Sequence, residues 1–354
     1  FDQSLIKLGI LSFESDKYIC AKEVDPQGNA SVIVCDLNKG MEFSKRKMAK
    51  ADGVMMHPKQ NIMAVRAKNG PNNIMIQVYN LDTKQKLKDI TVNFDVTFCK
   101  WLSDTVIGLV SPTSVFVLNI SDMNSPAKKA FDRQGPLSGN NVFVMNLVCN
   151  SNAQWFVLSA ISSVNVGGQP QVVGYIQLYN AQQNASQNVE GFAPCMGNVK
   201  CIDENPCSIL SFVDKRQNNP TYKLIITDLS SAKRVKVGVD IQMAAPNDFP
   251  VLMDVLPQYG VIFLACNSGN LFIFEITKGI LVFKCKVSED SLLFSAHNSN
   301  TGGMLYINKG GKLLGVDVDR NNLLPFIMNF CKNQQGVMEV VTRMAARFNL
   351  PGAE

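Results

Sequence analysis

The chain has 354 residues, 46% of them hydrophobic and 18% charged, with a formal net charge of +5. That composition is too apolar for a disordered chain and ample for a well-buried core. The charge would favour acidic peptides, but it is too small and too scattered to indicate nucleic acid.

Seven short apolar segments recur along the chain: 31–37 (SVIVCDL), 74–81 (IMIQVYNL), 114–120 (SVFVLNI), 172–180 (VVGYIQLYN), 223–229 (KLIITDL), 271–277 (LFIFEIT) and 313–319 (LLGVDVD). Their starts lie 40 to 58 residues apart, and each reads as the closing strand of a small antiparallel sheet. A period of roughly 40–50 residues with several strands per unit predicts a β-propeller, and seven units predict seven blades. In the second segment, alternation puts Ile74, Ile76, Val78 and Asn80 on one face and Met75, Gln77, Tyr79 and Leu81 on the other. Turn-forming strings punctuate the runs: Asp25-Pro-Gln-Gly28, Asn69-Gly-Pro71, Gly167-Gly-Gln-Pro170, Asn218-Asn-Pro-Thr221 and Asn308-Lys-Gly-Gly311. The extra length before the fourth segment, 163–171, reads as a loop inserted on the ring surface.

After Asn322 the pattern changes. Pro325 can open a helix, with a short one expected over 326–331. Val337, Val340, Val341, Met344, Ala345 and Phe348 then follow the spacing of an amphipathic helix, ended by Asn349 to Pro351. The expected fold class is all-β, a seven-bladed β-propeller over residues 1–321. Short α-helices over 322–354 would begin an α-solenoid linker.

No apolar run reaches the roughly 18–20 residues of a membrane-spanning helix. No secretory signal starts at Phe1, and both ends read as cuts in a longer chain. The ten cysteines include Cys20, Cys35, Cys99, Cys266 and Cys285 inside apolar runs, where a thiol behaves as a small hydrophobe. Cys195, Cys201 and Cys207 have neither a CxxC pair nor a nearby histidine, so no metal site is expected and free, reduced cysteines are. The two histidines, His57 and His297, stand at a predicted turn and near a strand end, and read as turn or capping residues. Without GxSxG, P-loop, HExxH or a Rossmann glycine pattern, the chain reads as a binding platform without cofactor, not an enzyme. A propeller hydrolase would need clustered acids or histidines at the central channel.

The strings Glu14-Ser-Asp-Lys-Tyr-Ile-Cys20, Asp95-Val-Thr-Phe-Cys-Lys-Trp101, Phe131-Asp-Arg133, Gln177-Leu-Tyr179, Val189-Glu-Gly191, Asn247-Asp-Phe-Pro-Val251 and Arg347-Phe-Asn-Leu-Pro-Gly-Ala-Glu354 narrow the choice. In this order and spacing they resemble the N-terminal propeller of the clathrin heavy chain family, as a divergent member. The resemblance implies a non-enzymatic coat component, on the cytosolic face of coated pits and vesicles, that supports vesicle formation. It also implies partners: adaptor proteins presenting short motifs of bulky aliphatic and acidic residues. Clathrin light chain and other heavy chains would be contacted through regions absent from this sequence, with no nucleic acid and no membrane insertion. A propeller from another coat or scaffold complex is the nearest competing reading.

The resemblance places the adaptor peptide in a groove between the first two blades, at Gln77, Tyr79, Lys84 and Lys86. The family has phenylalanine at Tyr79, so the ring is kept and a hydroxyl added. An amide offers hydrogen bonds to an extended peptide backbone, an aromatic floors its aliphatic side chains, and lysines attract its acidic residue. From the residues alone, Lys84-Gln-Lys86 reads as a solvated hairpin tip and Tyr79 as an ordinary strand aromatic. On the opposite wall Arg46 and Lys47 are both candidates for the family's arginine, with Met48 or Ala49 as its aliphatic neighbour. Two further family sites align less closely. A central pocket would draw on Leu8, Asn141 and Phe143, with Leu8 replacing an aromatic. A groove between blades four and five would draw on Trp155, Leu178 and Gln187, with Gln183 replacing an arginine; a core role for Trp155 stays open.

Overall fold

Alternation of buried and half-exposed residues recurs in strand after strand, and antiparallel pairing joins these strands into six sheets among the described residues. The fold is taken from a computed structural model that describes residues 2–351, apart from 49, 71, 139–140, 167, 201–205, 216–220, 231–235 and 246. Sheet I contains β1 (Leu11–Ser12), β2 (Tyr18–Val24), β3 (Ala30–Asp36) and β4 (Glu42–Lys47). Sheet II contains β5 (Ala51–Met56), β6 (Ile62–Lys68), β7 (Ile74–Asn80) and β8 (Gln85–Val92). Sheet III contains β9 (Phe98–Ser103), β10 (Val106–Val110), β11 (Ser114–Asn119) and β12 (Lys128–Asp132).

Seven strands make up sheet IV: β13 (Phe143–Cys149), β14 (Trp155–Val166), β15 (Gln169–Asn180), β16 (Ala185–Lys200), β17 (Pro206–Asp214), β18 (Tyr222–Asp228) and β19 (Lys236–Ile241). Sheet V contains β20 (Pro250–Leu256), β21 (Val261–Cys266), β22 (Asn270–Glu275) and β23 (Leu281–Lys286). Sheet VI contains β24 (Leu292–His297), β25 (Met304–Asn308) and β26 (Leu313–Val316). Two helices follow, α1 (Leu323–Phe330) and α2 (Val337–Phe348). Among the described residues no helix is long and apolar enough to cross a membrane. No disulfide is formed among the described cysteines, and Cys201 lies outside the described residues.

The chain is thus an all-β propeller with two short helices at its C-terminal end. Sheets I, II, III, V and VI are five separate blades, not the seven expected from spacing. The difference lies in β16, which runs unbroken for 16 residues. Its first part, Ala185 to Glu190, pairs with β15, and its second, Gly191 to Lys200, pairs with β17. Segments that the period counts apart are therefore hydrogen-bonded into one sheet. Glycines permit the close approach there: a Cβ on Gly174 of β15 would lie 2.2 Å from the Gly191 carbonyl oxygen.

The recurring apolar segments are also third strands, not closing ones, in the four-stranded sheets. The closing strand of sheet I escapes a hydrophobic count because it is polar and exposed: all six residues of β4 (EFSKRK) face solvent. Where a surface loop was expected at 163–171, β14 continues to Val166 and β15 starts at Gln169, with Ser163 paired to Val172 and Asn165 to Pro170. The first helix starts at Leu323, ahead of Pro325, which occupies its first turn, where no backbone N–H is needed.

Two compact units divide the chain. One comprises Phe1–Asn140, Leu293–Ser299 and Met304–Gly315; the other comprises Asn141–Leu292, Asn300–Gly303 and Val316–Glu354. In the first, Cys20, Val32 and Val34 of sheet I pack with Val54, Met56, Met63 and Val65 of sheet II. The opposite face of sheet II, with Ile74, Ile76 and Val78, packs with Trp101, Ile107 and Leu118 of sheet III. In the second unit, α2 buries Val337, Val340, Val341 and Met344, and α1 sets Phe326 edge-on to Phe283 at 5.6 Å. The left-handed Asn349 ends α2, at a φ of 49°.

Candidate functional site

The cluster joining sheets I and II continues outward as a polar and aromatic surface. Tyr79 pairs across β6 with Met63, and Gln77 with Val65, so both side chains share the face that packs toward sheet I. On sheet I, Arg46 pairs with Val32, which belongs to the same cluster. Lys47 pairs with Ser31 and so lies on the other face, beside Lys45, which is ion-paired with Glu23. The register therefore brings Arg46 to the face shared with Gln77 and Tyr79, and leaves Lys47 away from it. Met48 is half-buried against the cluster; Ala49 lies outside the described residues. Arg46 is exposed and has no side-chain partner among the described residues.

Around Tyr79 the polar groups form a closed circuit. The Tyr79 hydroxyl donates to Gln77 Oε1 at 2.9 Å, and Gln77 Nε2 donates to Asp89 Oδ2 at 3.1 Å. Lys86 Nζ donates to the same Asp89 oxygen at 2.6 Å and stands 5.9 Å from the centre of the Tyr79 ring. The Lys86 hydrogen bond holds the Asp89 carboxyl below its usual range, and reciprocally Asp89 raises Lys86. Asp89 was not foreseen from the residue pattern. A regular hairpin register from Asn80–Gln85 would put Lys88 opposite Gln77. A bulge between Val78 and Tyr79 shifts the pairing by one, so Asp89 faces Gln77 and Lys88 faces Val78. Lys88 then points to the other face, where it is fully buried and donates to the carbonyls of Asp122 and Ser125. Lys84 sits exposed in the β7–β8 turn with a positive φ of 57°.

The remaining sequence-predicted positions are dispersed. Trp155 pairs with Asn180, and Leu178 pairs with Val157 and Gln187, so Trp155, Leu178 and Gln187 share one face of sheet IV. Trp155 is buried there, whereas Gln187 is exposed. Gln183 is exposed in the adjoining turn, its backbone N–H bound to Asn180 Oδ1 at 3.0 Å. Leu8 is half-buried in the first unit, while Asn141 and Phe143 are exposed residues of the second. His57 is a turn cap: its Nδ1 accepts the backbone N–H groups of Lys59 and Gln60, and its Nε2 donates to the Asp104 carbonyl.

The face shared by sheets I and II thus presents an aromatic ring, an amide and an arginine. No family model matches the chain. Among individual proteins, it is 32% identical over 356 residues to clathrin heavy chain 2 of Oryza sativa subsp. japonica, covering 97% of this chain and 20% of that protein. It is 31% identical over 353 residues to the clathrin heavy chain of Drosophila melanogaster, again with 97% and 20% coverage. The chain is homologous to the N-terminal region of clathrin heavy chains, and spans about one fifth of the length of these curated relatives. A chain of the crystal structure of the mitotic checkpoint complex matches with a TM-score of 0.57 at 13% identity, over 90% of this chain and 88% of that one, a likeness of fold alone.

Proposed function

We propose that this chain is the peptide-capturing end of a clathrin-type coat protein, binding short extended motifs of adaptor proteins in the groove between sheets I and II. The observation that carries this reading is the shared face of Arg46, Gln77 and Tyr79 around one inter-sheet cluster. An aromatic floor with an apolar base at Met63 and Val65 suits bulky aliphatic side chains. The Gln77 amide suits the backbone of an extended peptide, and Arg46 suits its acidic residue. On this reading residues 1–321 hold the peptide sites on the cytosolic side of a vesicle. Residues 322–354 begin the helical extension toward light chain and other heavy chains. Individual contacts would be weak and become effective through multivalency in a lattice.

The test is titration of a fluorescent peptide that alternates leucines with one aspartate, using the whole chain and a Gln77→Ala/Tyr79→Ala variant. Saturable micromolar binding that the double variant loses supports the groove. Binding that survives the substitutions moves the site elsewhere, with the Trp155, Leu178 and Gln187 face the next to probe.

A further inference from the structure

We infer that Asp89 sets the ligand preference of this groove, selecting peptides with a single acidic residue beside Arg46 and a neutral or basic residue beside Lys86. The inference rests on the peptide-groove reading and specifies its ligand. Basic residues on a groove wall normally recruit acidic ligands, but here one of them already has an internal counter-ion. Asp89 Oδ2 receives both Lys86 Nζ at 2.6 Å and Gln77 Nε2 at 3.1 Å, so the lysine charge and one amide donor are satisfied within the protein. A second acidic side chain arriving beside Lys86 would meet a carboxylate about as close as the ammonium, and would have to displace it from two hydrogen bonds. Arg46 has no such partner among the described residues, so attraction for an acid is concentrated on the sheet I wall. The bulge that turns Asp89 to this face removes Lys88 from it, so the charge opposite Gln77 is negative where regular pairing would make it positive.

Two labelled peptides test the inference, both alternating leucines with polar residues, one carrying a single aspartate and the other a second aspartate next to it. Each is titrated against the whole chain, Asp89→Ala and Asp89→Asn. The unmodified chain should bind the one-acid peptide at least as tightly as the two-acid peptide. Asp89→Ala should tighten the two-acid peptide by roughly fivefold, with a steeper salt dependence, while changing the one-acid peptide less than about twofold. Asp89→Asn, which keeps an oxygen for Gln77 but removes the charge, should reproduce that gain. Equal shifts for both peptides, or a two-acid preference already present in the unmodified chain, would overturn the role of Asp89 while leaving the groove standing. Saturable binding of neither peptide to any of the three proteins would overturn the groove reading and the inference with it.

Discussion

The Tyr79 hydroxyl and the Gln77 side-chain oxygen, 2.9 Å apart, join two alternate residues of one strand into a single rigid surface. Because Gln77 Nε2 is held by Asp89 at 3.1 Å, the amide is fixed at both ends and cannot rotate freely to suit a ligand. On the proposed peptide-groove reading, a ligand would meet a pre-oriented amide beside an aromatic ring, which lowers the ordering cost of binding.

The ring and the hydroxyl should separate on mutation. Tyr79→Ala is expected to weaken peptide binding by about 1–3 kcal/mol, the range of a buried aromatic contact. Tyr79→Phe keeps the ring and removes one hydrogen bond, so its cost should stay under about 1 kcal/mol. Peptide titrations on both variants, with circular dichroism to verify folding, measure the split.

Adjacent residues on opposite faces of β4 should differ in effect. Arg46→Ala should weaken binding of an acidic peptide by about fivefold and flatten its salt dependence, since the side chain lies on the face shared with Val32. Lys47→Ala, on the face of Ser31, should change it less than about twofold. Titrations at low and high salt would check both; equal effects would show that the register of β4 does not control access to the groove.

Lys88 is a structural lysine. Its ammonium is fully buried and caps the carbonyls of Asp122 and Ser125, and burial pulls its pKa down. Lys88→Ala leaves two carbonyls without that donor and opens a cavity, so a loss of about 2–4 kcal/mol in unfolding free energy is expected. Chemical denaturation reads it directly, with exposed Lys84→Ala as a control expected within about 0.5 kcal/mol.

Glu14 should make stability depend on pH. Burial raises its carboxyl from 4.5 to about 7, against the opposing pull of Lys100 and of the Trp101 N–H, which donates to it at 3.1 Å. The folded state then binds the proton more tightly than the unfolded chain. Its contribution is fully present below about pH 4.5 and is lost as pH rises through 7. Glu14→Gln should remove that slope and raise stability above pH 7, by at most about 3 kcal/mol at roughly 1.4 kcal/mol per pKa unit. Denaturant melts of both proteins at pH 5 and pH 8 give the comparison.

Several features of this chain were legible without coordinates, because they depend on local periodicity. The alternation in Ile74–Asn80 matches its burial, the amphipathic spacing from Val337 to Phe348 is a helix, and the apolar third strands mark each unit of the propeller. The aromatic and amide of the groove were likewise readable as one strand face. Long-range pairing is what a linear pattern does not contain. The continuity of β16 merged units that spacing had counted apart. The pairing of Arg46 with Val32 chose between two adjacent basic residues. A single bulge beside Val78 placed Asp89 rather than Lys88 opposite Gln77. Sequence by itself determined the class of fold and put Gln77 and Tyr79 on one strand face, since side-chain alternation is written into every strand. Tertiary structure alone decided the sign of the charge facing the groove, because shifting a strand by one residue exchanges the side chains on its two faces.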